Sequence, residues 1–186
     1  FFNPLAVLEH VRTIYLNAGR MVHFDPSLGN EMPIFDTGKA IIVVNNAIED
    51  IVDSYDAIDE YGIDVDDHEP QRGDVRVHDL AGQAVVPGLV DGHTHLLWSG
   101  DRSQEVAWRQ EGKTYADIAS LGGGIRFTVE KTRSSSHDAL FALGYERLRT
   151  AMRTGTTHME AKSGYGLSTD TELKLLDVMD RLNGVG

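Results

Sequence analysis

The 186-residue sequence has no cysteine, few basic residues and no long run of apolar residues. The lack of cysteine excludes disulfides and thiolate metal sites, and it is typical of a cytoplasmic protein. No stretch reaches the roughly 20 uncharged residues that a membrane-spanning helix needs, and the opening segment lacks the basic start of a secretory signal. These absences predict a soluble cytoplasmic chain that makes no contact with a membrane.

Basic residues are scarce relative to acidic ones. Lysine and arginine number 17, aspartate and glutamate number 29, and the formal net charge is −12. An acidic surface repels phosphate backbones, so we expect no nucleic-acid partner. The hydrophobic content of 41% and the charged content of 25% are ordinary for a globular protein. The length suffices for one domain, or for one domain and part of another.

The pattern of the chain changes near residue 84. Before that point, short β-rich runs at Thr13–Asn17 and Ala40–Val44 alternate with turn signals such as "DPSLGN". Residues 53–74 carry nine acidic residues against one arginine. We predict a solvated loop there, and the alternative, a calcium-binding loop, lacks the required glycine and terminal glutamate.

After residue 84 the sequence alternates between strand and helix patterns. Strands are predicted at 84–95 ("AVVPGLVDGHTH") and 156–166 ("TTHMEAKSGYG"), and helices at 113–121, 134–155 and 168–184. Capping signals support each helix: Thr114 with Asp117, Ser135 with Asp138, and Thr169 with Glu172. The glycines at 122–124 are interpreted as a helix stop and not as a phosphate cradle. Strands separated by helices of this length indicate βα units with parallel strands.

Two histidines lie one residue apart at the end of the first of these strands. Residues i and i+2 of a strand point to the same face, so His93 and His95 project together while Thr94 points away. Two neutral imidazoles in this arrangement can ligate one divalent metal ion. The alternative is a pair of partly exposed histidines with no ligand. His158, Glu160 and Lys162 alternate in the same way on the second strand, so all three should share one face. If that face lies in the interior of the fold, we expect Glu160 and Lys162 to form a buried ion pair beside the metal.

Five segments carry a resemblance to known enzymes. "VVPGLVDGHTH" resembles the metal-binding strand of the amidohydrolase superfamily, whose members are metal-dependent hydrolases built on a (β/α) barrel. Four further segments follow in the same order as in the imidazolonepropionase family: "HTHLLWSGDRSQE", "GKTYADIASLGGGI", "TVEKTR" and "EAKSGYGLSTDTELKLL". The resemblance extends from about residue 79 to residue 183. The histidine pair alone would indicate only the superfamily.

The resemblance implies an α/β fold. The chain would form the first part of a (β/α)8 TIM-type barrel, preceded by strands of a small β-sandwich. Residues 1–83 would belong to the partial β-sandwich domain, and residues 84–186 would form the first two strand–helix units of the barrel. Such a barrel needs roughly 250 residues. We therefore expect an incomplete chain, inactive alone, whose catalytic acid–base residues and remaining metal ligands lie beyond residue 186.

The resemblance also implies a site and a reaction. His93 and His95 would hold one divalent ion, zinc or iron, since imidazole suits both metals. Arg102 would bind the propionate tail of the substrate with two parallel hydrogen bonds, and Tyr165 would be a second substrate contact. The small-molecule substrate would be 4-imidazolone-5-propanoate, hydrolysed by a metal-activated water to N-formimino-L-glutamate. A homodimer is one assembly that the resemblance allows.

Other interpretations of these residues stay open. Arg102 is also placed to pair with Asp101 or Glu105 at the surface, and Tyr165 to pack within its own loop. A purine or pyrimidine deaminase of the same superfamily would share the histidine pair without needing an arginine for a propionate. A non-catalytic metal-binding fragment would need neither Arg102 nor Tyr165.

Overall fold

The computed structural model describes residues 12–24, 33–65, 71–72 and 75–185 of the chain. It divides into two compact units, residues 1–87 and residues 88–186, and both are mixed in secondary structure. The turn predicted at "DPSLGN" lies outside the described residues. Within the described ranges, none of the helices is long and apolar enough to cross a membrane.

The described residues of the first unit form a five-stranded sheet with strand order β3-β2-β1-β5-β4. Its elements are β1 (Arg12–His23), β2 (Ile34–Val44), β3 (Ala47–Asp53), α1 (Ser54–Tyr61), β4 (Gln71–Arg72) and β5 (Val75–Asp79). β2 pairs antiparallel with β1 and β3, whereas β5 pairs parallel with β1 and antiparallel with β4. The two β-rich runs predicted in this region, 13–17 and 40–44, lie within β1 and β2, which confirms them as strands.

Alternate residues of β1 supply part of the core of this unit. Ile14 and Leu16 are buried together with Ala40 of β2 and Ala57 of α1. Burial at every second residue is the pattern of a strand with one face against a core. The sheet is therefore covered on this face by α1.

The prediction of a loop over residues 53–74 is wrong for its first part, where α1 forms. Its inward positions are Ser54, Ala57, Ile58 and Tyr61, which follow helical spacing and pack toward the core. The acidic residues occupy the other face, where solvent accommodates them. Gly62 ends the helix in a left-handed conformation with φ of 56°.

In its described residues, 88–185, the second unit contains two parallel strands and five helices. Its elements are β6 (Leu89–Thr94), α2 (Gln104–Gln110), α3 (Tyr115–Ser120), α4 (Ile125–Ser134), α5 (His137–Arg153), β7 (Thr156–Ala161) and α6 (Thr169–Asn183). β6 and β7 pair in parallel, as the alternation of strands and helices predicts. One core cluster of this unit consists of six buried aliphatic residues: Leu96, Leu97, Leu140, Leu175, Val178 and Leu182. It joins the segment after β6 to helices α5 and α6.

The predicted helix ends are correct in some places and shifted in others. Thr114 and Asp117 form the predicted capping box at α3. The cap of α5 is Ser136, whose hydroxyl accepts from the Ala139 N–H, because Ser135 is already used to end α4. The cap of α6 is Ser168, one residue earlier than predicted. The glycines at 122–124 follow the end of α3, as expected, and they also precede the start of α4. Helices α2 and α4 were not predicted from the sequence.

Gly144 allows α5 to approach its neighbours closely. A Cβ atom at this position would lie 2.6 Å from methyl carbons of both Leu97 and Leu182. Alanine is intrinsically better than glycine in a helix by about 1 kcal/mol, but forcing extra atoms into a packed core costs about 1–3 kcal/mol. We expect Gly144→Ala to lower the free energy of unfolding by about 0–2 kcal/mol in denaturant titrations, which is the cost of overpacking less the gain in helix propensity. The exposed Ala142→Gly variant isolates the helix-propensity term, and a Gly144→Ala protein more stable than wild type would contradict the expectation.

Candidate active site

The two histidines lie side by side at the end of β6. The ring centroids of His93 and His95 are 5.4 Å apart with an interplanar angle of 76°, and both residues are exposed. Asp91 stabilises this strand end, since its carboxylate accepts from the Thr94 hydroxyl at 2.7 Å and from the His93 backbone N–H at 3.0 Å. These two hydrogen bonds hold the pKa of Asp91 below its ordinary value. Beyond them, the Lys162 N–H donates to the Thr94 carbonyl at 2.7 Å, which joins the two strand ends.

The glycine-rich loop after β7 brings Tyr165 to the same place. The rings of Tyr165 and His95 are 5.4 Å apart in an edge-to-face arrangement. Gly164 makes this approach possible, because its φ of +143° disfavours other residues and a Cβ atom there would lie 2.8 Å from the His95 ring. Two residues 70 positions apart in the sequence are thus in contact.

Tyr165 also lines a cavity of about 340 Å³. The walls are formed by Trp98, Arg102, Glu105, Val106, Arg109, Thr128 and Tyr165. The two residues to which the resemblance assigns substrate binding, Arg102 and Tyr165, therefore share one cavity, and Tyr165 connects it to His95. Two guanidinium groups and one carboxylate line it, so its side chains carry a net positive charge that suits an anionic ligand.

Arg102 pairs with Glu105, which is one of the partners considered from the sequence. Its Nε and Nη2 donate to the two carboxylate oxygens at 2.7 and 2.8 Å. Glu105 is only 6% exposed, and its Oε1 also accepts from the Gly124 N–H at 2.5 Å. The hydrogen bonds from Arg102 and Gly124 hold the pKa of Glu105 at about 2, below its ordinary 4.5. Sequence reasoning missed this contact to Gly124, because it joins residues 19 positions apart.

The depressed pKa of Glu105 makes its contribution to stability depend on pH. The folded pKa of about 2 lies below the ordinary 4.5, so the carboxylate stabilises the folded state above pH 4.5, and this is lost as pH falls through 2. The groups facing it are Arg102, Arg109 and the Gly124 N–H, none of which loses a proton near neutral pH. We expect the difference in unfolding free energy between wild type and Glu105→Gln to be constant near neutrality and to shrink between pH 4.5 and 2. A difference independent of pH would contradict this assignment.

Trp98 forms an apolar wall of the cavity, and the guanidinium of Arg147 packs against its ring. The Arg147 Cζ lies 3.9 Å from the Trp98 ring centroid, and its Nη1 donates to the Leu96 carbonyl at 2.8 Å. Burial lowers the pKa of Arg147, but a guanidinium stays charged. This cation–π contact and hydrogen bond fix the orientation of the indole ring.

The neighbouring strand β7 places a second charged pair near the histidines. The Lys162 ammonium donates to the Glu160 carboxylate, which holds the pKa of Glu160 below its ordinary value. The ion pair forms as predicted, and the Glu160 side chain is 59% exposed in this chain. Burial of the pair was expected only if this strand face lies in the interior of the complete fold, and that stays a prediction. Within the part of the chain that the structure describes, no three histidine, aspartate or glutamate side chains converge on one point.

Several known proteins that carry the name imidazolonepropionase are similar to this chain. A Dictyostelium discoideum protein named "probable imidazolonepropionase" is 42% identical over 157 residues, which is 83% of this chain and 35% of that protein. A mouse protein of the same name is 53% identical over 103 residues, covering 55% and 24%. An imidazolonepropionase of Pseudomonas entomophila is 50% identical over 117 residues, covering 60% and 29%. The chain thus spans about a third or less of the length of these relatives.

Two further comparisons are weaker. No protein-family model matches the sequence. Among solved structures, A. niger ochratoxinase has a TM-score of 0.49 at 18% identity and covers 94% of this chain and 28% of its own. E. coli guanine deaminase has a TM-score of 0.40 at 14% identity, with coverage of 95% and 35%.

Proposed function

Because the chain belongs to the imidazolonepropionase family and corresponds to the amino-terminal part of its members, we propose that the protein hydrolyses 4-imidazolone-5-propanoate to N-formimino-L-glutamate. In this reaction the oxygen of water joins the ring carbonyl carbon, the adjacent C–N bond breaks, and the nitrogen leaves with a proton. The strongest support for the proposal is the arrangement of the cavity beside the two histidines. A cavity lined by Arg102 and Arg109 is joined through Tyr165 to the histidine pair.

The histidine pair is suited to hold part of a metal site. Two imidazole nitrogens each about 2.1 Å from one ion, at a near-tetrahedral angle, require ring centroids roughly 5 Å apart. The observed separation of His93 and His95 is 5.4 Å, so these two residues fit as ligands of one divalent ion. We propose zinc or iron, and we propose that the remaining ligands and the catalytic acid–base residues come from outside these 186 residues. When bound, such an ion lowers the pKa of a water ligand to about 7 and polarises a carbonyl.

The cavity residues are proposed to bind and orient the substrate. Arg102 binds the carboxylate of the propionate tail, while Trp98 and Val106 contact the methylene groups of that tail. Tyr165 lies between this tail site and His95, so its hydroxyl can reach the ring of a substrate whose tail is held by Arg102. Fixing both ends of the molecule keeps the carbonyl near the histidine pair, which favours reaction by reducing the loss of freedom in the transition state.

The proposal includes an architecture for the whole protein. Residues 84–186 would be the first two strand–helix units of a (β/α)8 barrel, and residues 1–83 part of a small β-sandwich. The parallel β6–β7 pair with its helices supports the first assignment, and the largely antiparallel sheet of β1 to β5 supports the second. We further propose a cytoplasmic protein with a small-molecule substrate and without nucleic-acid or membrane partners.

An activity assay tests the proposal. Full-length protein, loaded with zinc or iron, is incubated with 4-imidazolone-5-propanoate, and N-formimino-L-glutamate is measured by mass spectrometry. We expect product that disappears after chelation and returns with metal. A parallel assay offers purine and pyrimidine bases and measures ammonia. Ammonia release from these bases without turnover of the imidazolone would contradict the proposal and favour a deaminase, and stoichiometric metal with neither activity would favour a non-catalytic metal-binding protein.

A further inference from the structure

The buried carboxylate of Glu105 connects two segments of the cavity wall. It binds the Arg102 guanidinium through both oxygens, at 2.7 and 2.8 Å, and the first turn of α4 through the Gly124 N–H, at 2.5 Å. The preceding Gly123 is also shaped around it, since a Cβ atom there would lie 2.9 Å from the carboxylate oxygen. Glu105 lies on α2, so the helix and the contact with Gly124 hold its carboxylate in place, and the carboxylate in turn orients Arg102.

The geometry of the pair determines which edge of Arg102 is available. A guanidinium has five N–H groups, and Glu105 occupies the edge formed by Nε and Nη2. In the described part of the chain, no protein group accepts from Nη1. The second edge, formed by Nη1 and the remaining proton of Nη2, can therefore take another carboxylate with two parallel hydrogen bonds.

We propose that Glu105 is a positioning residue that holds Arg102 so that this second edge binds the carboxylate of the substrate. The inference rests on the proposed function. An unrestrained arginine side chain loses rotational freedom when it binds a ligand, whereas Arg102 is ordered beforehand by Glu105. The negative charge of Glu105 opposes a second carboxylate, but Arg109 lines the same cavity and offsets it.

The inference is tested by ligand binding to the full-length, metal-loaded protein. The probes are imidazole-4-propanoate and its uncharged amide, imidazole-4-propanamide, measured by titration calorimetry. We expect Glu105→Gln to weaken binding of the propanoate by about 3- to 10-fold, as expected for one newly mobile side chain, and to change binding of the amide by less than about twofold. The control is Glu111→Gln, which removes an exposed glutamate paired with Lys113 near the same helix.

A second background separates this inference from the proposed function. In an Arg102→Ala protein, adding Glu105→Gln should not weaken propanoate binding further, because Glu105 acts through Arg102. If Arg102→Ala weakens propanoate binding and Glu105→Gln does not, the positioning inference is wrong while the proposed function stands. If Arg102→Ala has no effect on the propanoate, the proposed carboxylate site itself is wrong.

Two further results with Glu105 variants would overturn the positioning inference. Equal weakening of propanoate and amide by Glu105→Gln would show a general structural effect and overturn the inference. Should Glu105→Gln fail to fold, Glu105→Asp keeps the charge but is one methylene shorter, so it cannot reach Arg102 and Gly124 together. That variant should show the same selective loss for the propanoate, and unchanged propanoate binding would overturn the inference.

Discussion

Replacing His93 or His95 with alanine in the full-length protein is expected to remove tight metal binding and hydrolysis together. Loss of residues that merely orient a ligand costs 10- to 100-fold in metal affinity, so loss of a ligand itself should cost more than about 100-fold. Both side chains are exposed, and the free energy of unfolding of the metal-free protein should fall by no more than about 1.5 kcal/mol, the larger loss being that of the His95–Tyr165 ring contact. Metal per chain is measured by elemental analysis after dialysis.

The matched control for these variants is His137→Ala. His137 is exposed at the start of α5, where its ring lies 3.6 Å from the Asp177 carboxylate. It should keep both metal and activity. One stoichiometric metal ion per chain in the His93→Ala/His95→Ala double variant would show that the histidine pair is not the metal site.

The proximity of the two histidines was predictable because strand periodicity is local. A two-residue repeat places His93 and His95 on one face whatever else the chain does, and the 5.4 Å separation agrees. The parallel pairing of β6 and β7 was likewise readable from the lengths of the intervening helices. Sequence similarity, and not residue spacing, assigned Arg102 and Tyr165 to one ligand. Their shared cavity depends on how the loops after two different strands pack.

The errors have identifiable physical causes. The nine acidic residues of 53–74 favoured the interpretation of that segment as a loop. The helical spacing of Ser54, Ala57, Ile58 and Tyr61 is nevertheless present in the sequence and could have predicted α1. Glu105 gave no such signal. Glutamate is rarely buried, and its burial here depends on a long-range contact with Gly124 that no local pattern encodes.

Arg102→Ala should raise KM for 4-imidazolone-5-propanoate by about 10- to 100-fold, since a hydrogen bond to a charged group contributes on the order of 1.5–3 kcal/mol. The propionate tail does not react, so its contact is equally strong in ground and transition states and kcat should fall less than KM rises. Metal content should be unchanged. Arg102→Lys should recover part of the loss, because the charge remains while the two-pronged geometry is lost. Arg149→Ala, which removes an exposed arginine paired with Glu146, is the control.

The ion pair with Glu105 adds a complication that the same experiment can resolve. Removing Arg102 leaves the Glu105 carboxylate without its main partner, and this unpaired charge would destabilise the protein and repel the substrate carboxylate. The Arg102→Ala/Glu105→Gln double variant removes that repulsion, so any rise in KM that persists in it reports the lost binding group alone. A substrate analogue with an uncharged amide in place of the carboxylate should be hydrolysed almost equally by wild type and by this double variant. Equal losses on the analogue and on the natural substrate would show that Arg102 does not bind the carboxylate.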